Sequence, residues 1–211
     1  MKRKNVVRIV VAIIMVLVIG GLFAYIFIKP EIGPCTEYKC DVKVLFKLST
    51  TIEIDKEGES FANVSGNIFK FVTDPLTMYD SSGNKIAYAG DEYHFIAQDS
   101  HSIYLNNGLA AEMVGRINFF GETYDIYNSS QEKIAKVSFD KVNIKGKMYD
   151  VNGNLIADFH SFPFFNDFSV RISENCEMDE KVVLMIFSSY YSDQKADSRT
   201  SSNSHKSSTK N

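Results

Sequence analysis

The chain has 211 residues, the length of about one domain, and 45% of them are hydrophobic while 23% are charged. This composition is typical of a packed domain and excludes a mainly disordered chain. The formal net charge of −3 is unevenly distributed: residues 30–195 hold 15 basic and 25 acidic residues and so carry about −10, which excludes nucleic acid as the partner, because a phosphate backbone requires a basic surface.

The first element is an apolar segment at 9–28, twenty residues without a charge. As a helix it would be about 30 Å long, which matches the hydrocarbon thickness of a bilayer. We therefore predict a single-pass transmembrane helix over 9–28. The alternatives are a cleaved signal peptide, which has a shorter apolar region and a small-x-small cleavage site that this sequence lacks, and a helix buried in a core.

The predicted orientation follows from the charges beside this segment. One basic residue, Lys29, comes directly after it, and four precede it: Lys2, Arg3, Lys4 and Arg8. By the positive-inside rule, residues 1–8 are expected in the cytoplasm and the C-terminal domain on the extracytoplasmic side. The expected partners are thus the lipid bilayer, through 9–28, and an unidentified protein or lipid.

Residues 29–41 contain two prolines and a glycine and are predicted to be a linker. Cys35 and Cys40 lie in it, separated by four residues. An oxidising compartment would allow a disulfide between them, and the alternative is two unpaired thiols. Cys176 is left over and is interpreted as a small buried hydrophobic residue.

From Val42 onward, short apolar alternations separated by turn residues predict β-strands. The clearest pattern is an internal repeat of the form Tyr-Asp-x-x-Gly-Asn-x-Ile-Ala. The copies recur at a spacing of 22 to 25 residues and cover 54–62, 79–87, 104–110, 127–135 and 149–157, with a trace near 172–176. A period of this length can define a whole fold.

Each copy predicts a β-hairpin. Asp or Asn opens a type I turn by bonding back to the backbone, and Gly three residues later supplies the left-handed conformation. The flanking Tyr and Ile-Ala are expected to face each other across the hairpin. The alternative at 150–158 is a calcium loop, but the ligand order and terminal Glu of an EF-hand are missing.

Six hairpins give about twelve antiparallel strands, and the fold class is mainly β. A sheet of that size curls or closes, because twist accumulates and open edges promote aggregation. We predict a closed antiparallel barrel over residues 42–195. A stacked solenoid is the alternative, but the leucine ladder of a leucine-rich repeat is absent.

The segment at 179–193 breaks the hairpin pattern. It has no Gly or Pro, Asp179 is a suitable N-cap, and Val182 to Phe187 is continuously apolar. We predict a helix there, and since it would be apolar on every face it should fill the barrel. Residues 196–211 are rich in serine and are predicted to be disordered.

Hairpin repeats of this type followed by one hydrophobic helix resemble the tubby-like C-terminal superfamily, which includes the LURP-one-related proteins and the phospholipid scramblases. The resemblance covers about 42–195 and implies a twelve-stranded barrel around a central helix. Tubby domains bind phosphoinositides at the cytoplasmic face through basic residues. This domain is acidic, lacks a cysteine cluster and follows an N-terminal apolar segment, so the fold is carried over more readily than any activity.

No motif predicts a catalytic, cofactor or metal site. The histidines show no ligand spacing, and no nucleophile elbow, Walker loop or dinucleotide fingerprint is present. His94 and His101 could meet across a hairpin, with Asp91, Glu92 and Asp99 nearby, but ordinary strand residues are the preferred interpretation. The remaining histidines are His160 and His205.

One basic cluster remains, and it consists of Lys133, Lys136, Lys141, Lys145 and Lys147. The resemblance implies a lipid headgroup as its ligand, and the alternative is lysines on outer strand faces that deter edge pairing. The aromatic residues at 119–120 and 159–165 are expected in the core or, for Phe164 and Phe165, at a rim. Asn63 and Asn128 begin glycosylation sequons.

The sequence thus predicts a membrane-anchored, non-catalytic domain with a binding or structural role at the extracytoplasmic surface. The alternatives are scramblase-like phospholipid transport or headgroup binding, which rest on the resemblance, and a hydrolase that would use His94, His101 and Asp99.

Overall fold

A computed structural model describes residues 3–27, 32–45, 49–67, 76–91, 100–118, 121–140, 144–161 and 166–207. The chain divides into two compact units, Met1–Glu31 and Ile32–Asn211.

The first unit contains helix α1, Arg3–Phe27. The described large apolar side chains of α1 are exposed, from 49% for Val10 to 69% for Val16 and Leu17. Among the residues that the structure describes, no helix is both long and apolar enough to cross a membrane. The span predicted over 9–28 is therefore not found there.

The second unit holds twelve strands and one helix. These are β1 Cys35–Leu45, β2 Ser49–Lys56, β3 Glu59–Asn67, β4 Leu76–Asp80, β5 Lys85–Asp91, β6 Ser100–Leu105, β7 Gly108–Asn118, β8 Gly121–Tyr127, β9 Lys133–Phe139, β10 Lys145–Asp150, β11 Leu155–Ser161, β12 Asp167–Ser173 and α2 Glu180–Ser207.

The strands form a closed barrel in which each is antiparallel to the next in the chain. β1 closes the barrel by pairing with both β2 and β12. Closure removes the exposed edges that an open sheet of twelve strands would carry. The predicted twelve-stranded barrel is confirmed, and the solenoid alternative is wrong.

The hairpin repeats have the predicted turns. The Asp80 carboxylate accepts hydrogen bonds from the backbone of Ser82 and Asn84, at 2.9 and 2.8 Å, and Gly83 has φ +82°. Asp150 and Asn128 accept the equivalent bonds in their own hairpins. The Asp150 carboxylate is thus satisfied by the chain itself, and hydrogen bonds from Asn154 lower its pKa, which favours the hairpin over the calcium loop.

Two details of the repeats differ from the prediction. A bulge follows Met78, so Tyr79 is opposite Lys85 and not opposite the Ile-Ala pair. The copies at 54–62 and 104–110 use two-residue turns instead. Their central residues, Glu57-Gly58 and Asn106-Asn107, all have positive φ. This is the hairpin turn whose twist matches that of the strands.

The first strand begins earlier than predicted. β1 starts at Cys35, inside the segment interpreted as a linker, because Tyr38, Cys40 and Val42 alternate into the barrel and are each at most 6% exposed. A period-2 alternation of this kind is the pattern of a strand with one buried face.

Helix α2 fills the barrel. The ten residues from Val182 to Tyr191 are each at most 4% exposed. The Tyr190 ring stacks on Phe139 with the centroids 3.3 Å apart, and the Phe187 ring stacks on Phe159 at 5.6 Å. The predicted helix inside the barrel is confirmed, and Phe159 belongs to the core.

The side of α2 turned away from Phe187 and Tyr190 is lined by serines. At 100° per residue, Ser188, Ser189 and Ser192 lie on this side. Their hydroxyls have no hydrogen-bond partner among the described residues. Unsatisfied hydroxyls are unfavourable, but small side chains allow a helix to approach a sheet closely. α2 lies close to β5, where the inward residues are alanines.

α2 also extends past the predicted end at Asp193. Its backbone is helical to Ser207, so it enters the segment 196–211 that was predicted to be disordered. The reason is that no Gly or Pro follows Asp179, and nothing in the sequence terminates the helix at Asp193. Residues 208–211 lie outside the described part.

Candidate functional site

The lysine cluster is carried by two neighbouring strands. Lys136 lies on β9, and Lys145 and Lys147 lie on β10. Lys136 is opposite Tyr149 and Lys147 is opposite Ser138, so these two lysines are diagonal neighbours on the outer face of the barrel. Lys133 begins β9, and Lys141 lies outside the described residues.

Lys133 is occupied by an ion pair. Its Nζ lies 2.6 Å from Oδ1 of Asp125, and Nη2 of Arg116 lies 2.5 Å from Oδ2 of the same carboxylate. Asp125 is only 2% exposed although it is on the outer face, because the two long side chains cover it. Its charge is compensated by Lys133 and Arg116, which leaves less positive charge for a ligand.

The remaining lysines differ in their surroundings. Burial lowers the pKa of Lys145, while the charge of Asp140 acts in the opposite direction. Lys147 is opposite Asp158 on β11, whose carboxylate receives two hydrogen bonds from Arg171, one of them from Nε at 3.1 Å. Among the described residues, no ion pair is found for Lys136 or Lys147. The structure therefore brings four of the five predicted lysines to one region and leaves these two without an ion pair there.

The two histidines whose side chains the structure describes, His101 and His160, lie on opposite faces of the sheet. His101 points into the barrel, where its Nε2 lies 3.0 Å from Oδ2 of Asp193 on α2. His160 is on β11, on the outer face, and is buried. Within the described part of the chain, no group of three or more metal-ligating side chains is found. His94, Glu92 and Asp99, as well as the side chains of Asp91 and His205, lie outside the described residues.

The disulfide between Cys35 and Cys40 is not formed. Both residues lie on β1, five positions and so about 16 Å apart, whereas a disulfide requires Cα atoms within about 7 Å. All three cysteines are free. Burial raises the pKa of the Cys40 thiol, so that thiol is held neutral inside the barrel.

Polar contacts hold α2 at both rims of the barrel, and none of them was predicted from the sequence. At the first rim, Oε2 of Glu180 accepts hydrogen bonds from Tyr38 on β1 and from Nζ of Lys56 on β2, the latter at 2.8 Å. At the second rim, Nε2 of Gln194 donates to Glu122 on β8 at 3.1 Å. These partners are more than 70 residues apart in the chain, so spacing in the sequence gives no signal for them.

Glu180 should make the stability of the barrel depend on pH in the acid range. Burial raises its pKa, but hydrogen bonds from Lys56 and Tyr38 outweigh burial and hold the pKa below its usual range. A lowered pKa in the folded state stabilises the protein above the unfolded value of about 4.3 and loses that contribution as the pH falls through the folded pKa. Urea unfolding between pH 3 and 6 should therefore show a shallower pH dependence for Glu180→Gln than for the unchanged protein.

Glu53→Gln is the matched control. It removes the carboxylate of an exposed pair with Lys43, at 2.5 Å on the outer face, which contributes little to stability. Equal slopes for Glu180→Gln and the unchanged protein would contradict the role given to Glu180.

No family model matches the chain, and no curated protein is significantly similar to it. The resemblance to the tubby-like superfamily therefore stays a prediction from the repeat pattern.

Proposed function

We propose that the barrel is a non-catalytic binding or scaffold domain whose partners contact its outer surface or its rims. The observation that carries this proposal is the filled interior. The residues of α2 from Val182 to Tyr191 are buried against the inward side chains of the strands, in stacked rings such as Phe139 and Tyr190. Among the described residues, this packing places α2 where barrels that enclose a ligand have their cavity.

We further propose that residues 9–28 tether the domain to a membrane, with residues 1–8 in the cytoplasm and the barrel on the extracytoplasmic side. The support is the uncharged sequence of this segment and the basic cluster before it. The exposed apolar side chains of α1 add to it, since a large exposed apolar surface is typical of membrane or protein contacts.

A protease added to intact cells tests the tether and its orientation. The expected result is loss of the barrel from the cell surface while the N-terminal residues stay protected. A barrel that remains intact until the cells are lysed would contradict the proposed orientation.

Lipid transport is the alternative function, and reconstitution separates it from binding. The full-length protein is inserted into vesicles, and labelled lipid is followed between the two leaflets. We expect no protein-dependent movement, because one apolar helix and a filled barrel provide no groove for a headgroup. Protein-dependent flipping would overturn the binding proposal and favour the transport alternative.

Headgroup binding is favoured by one observation, the two outer-face lysines for which no ion pair is found among the described residues. Headgroup binding predicts that the full-length protein co-sediments more with vesicles containing anionic lipid than with neutral vesicles, and that the double variant Lys136→Glu with Lys147→Glu loses this preference. The control is Lys39→Glu with Lys43→Glu, which changes the same number of charges on the outer face of β1.

A further inference from the structure

A small pocket opens at the first rim of the barrel, beside the start of α2. It has a volume of about 360 Å³ and is lined by Lys56, Glu57, Glu59, Ser60 and Phe61 of the β2–β3 hairpin. This volume is within the range of small-molecule sites, about 300–1,000 Å³. We call it the rim pocket.

An ammonium group already occupies one side of the rim pocket. Nζ of Lys56 lies 5.5 Å from the ring centroids of both Tyr38 and Phe61 and 2.8 Å from Oε2 of Glu180. Of the two rings, Phe61 lines the rim pocket, whereas Tyr38 is only 1% exposed. An aromatic face beside a carboxylate is the chemistry that recognises organic cations. The rings are fixed relative to each other by an edge contact with centroids 5.6 Å apart.

The residues that line the rim pocket carry a net negative charge. Glu57 and Glu59 supply two negative charges against the single positive charge of Lys56, which is also paired with Glu180 on α2. Glu59 is directly opposite Lys56 in the hairpin, and Glu57 precedes Gly58 in a tight turn in which both residues have positive φ. Glu57 and Glu59 are exposed, and among the described residues no ion pair is found for either.

We propose that the rim pocket binds an organic ammonium group, primary or quaternary, and that Lys56 is an intramolecular occupant which this ligand displaces. The inference rests on the proposed function, since it identifies a ligand class for the rim of a binding domain. The displaced Lys56 has a carboxylate to move to, because Glu59 is its cross-strand partner. With a side chain that is 37% exposed, Lys56 can leave without unpacking the core.

Choline chloride is the probe, and the full-length protein is melted with it and with NaCl at the same concentration. A ligand that binds only the folded protein raises its Tm. Choline should raise the Tm more than NaCl, and Lys56→Ala should bind choline about tenfold more tightly because the competing ammonium is gone. The double variant Lys56→Ala with Phe61→Leu should lose this gain, since leucine keeps the apolar volume but lacks the ring face.

Lys43→Ala is the matched control, because it removes a Lys–Glu pair without nearby rings and should not change choline binding. If Lys56→Ala responds to choline no more than to NaCl, the ammonium site is wrong. If Lys56→Ala does not fold, the Tm of the unchanged protein is compared in choline chloride and in NaCl. Equal Tm values in the two salts would overturn the proposal.

Two further results separate the sources of the ligand and the two proposals. A rise in Tm with a water-soluble short-chain phosphatidylcholine that disappears in Lys56→Ala with Phe61→Leu would assign a lipid headgroup, and a response to choline alone would assign a soluble amine. Failure of choline to bind overturns only the ammonium site, whereas protein-dependent lipid flipping overturns the proposed function.

Discussion

Replacing Leu184 with aspartate should unfold the barrel. Leu184 is fully buried in the middle of the apolar part of α2, so the substitution puts an unpaired carboxylate into the core. Burying a charge without a partner belongs to the small class of changes that cost more than about 4 kcal/mol. Urea unfolding followed by near-UV circular dichroism, which reports the packing of the core tyrosines, would measure the loss.

Leu184→Met is the matched control, because it conserves volume and polarity and should cost less than about 1.5 kcal/mol. If Leu184→Asp and Leu184→Met had the same unfolding midpoint, α2 would not be the filling of the barrel. The support for the proposed function would then be lost as well, since the interior would be free for a ligand.

The repeat pattern predicts most of the barrel because its signals are local. Asp80 and Gly83, or Asp150 and Gly153, are close enough in sequence to define a turn by themselves. The number of strands and the closure of the sheet follow from counting such turns. The start of β1 could also have been predicted, because the alternation from Tyr38 to Val42 is visible in the sequence.

The contacts that define the candidate sites join residues that are far apart in the chain. No motif or fixed spacing in the sequence therefore indicates them. Glu180 meets Lys56 from 124 positions away, and the contact depends on how far α2 is inserted into the barrel. Nothing in the sequence marks Asp125 as a buried residue, yet the side chains of Arg116 and Lys133 cover its carboxylate. The lysine cluster shows the same limit. Lys133 and Lys136 are close in sequence, but only the side-chain contacts show that Lys133 is paired with Asp125.

The way α2 is held explains why the rims are the sites where partners are proposed to bind. The central part of α2 packs against the strands through apolar and aromatic side chains. The polar contacts of the helix lie at its two ends, through Glu180 at the first rim and through Asp193 and Gln194 at the second. A ligand at a rim can change these contacts without opening the core. A ligand at the center would have to displace stacked rings.

The substitution Gly146→Ala should destabilise the barrel although it adds only one methyl group. Gly146 is buried on β10, and a Cβ there would lie 2.6 and 2.7 Å from ring carbons of Phe139 and 3.3 Å from Cβ of Phe159. The Phe139 ring cannot move away, because it stacks on Tyr190 with the centroids 3.3 Å apart. Overpacking of this kind costs about 1–3 kcal/mol, and for a protein of this size each kcal/mol lowers the Tm by about 2–4 °C.

Gly90→Ala is the control with the opposite expected sign. It makes the same change on β5, where no atom of the described residues lies within 4 Å of the added Cβ and the backbone is not left-handed. Alanine restricts the unfolded chain more than glycine does, so this variant should be unchanged or more stable by up to about 1 kcal/mol. Calorimetric melting of the two variants and the unchanged protein gives the comparison. A Tm for Gly146→Ala equal to that of Gly90→Ala would mean that Phe139 is free to move, and that the stacked rings do not hold α2 in place.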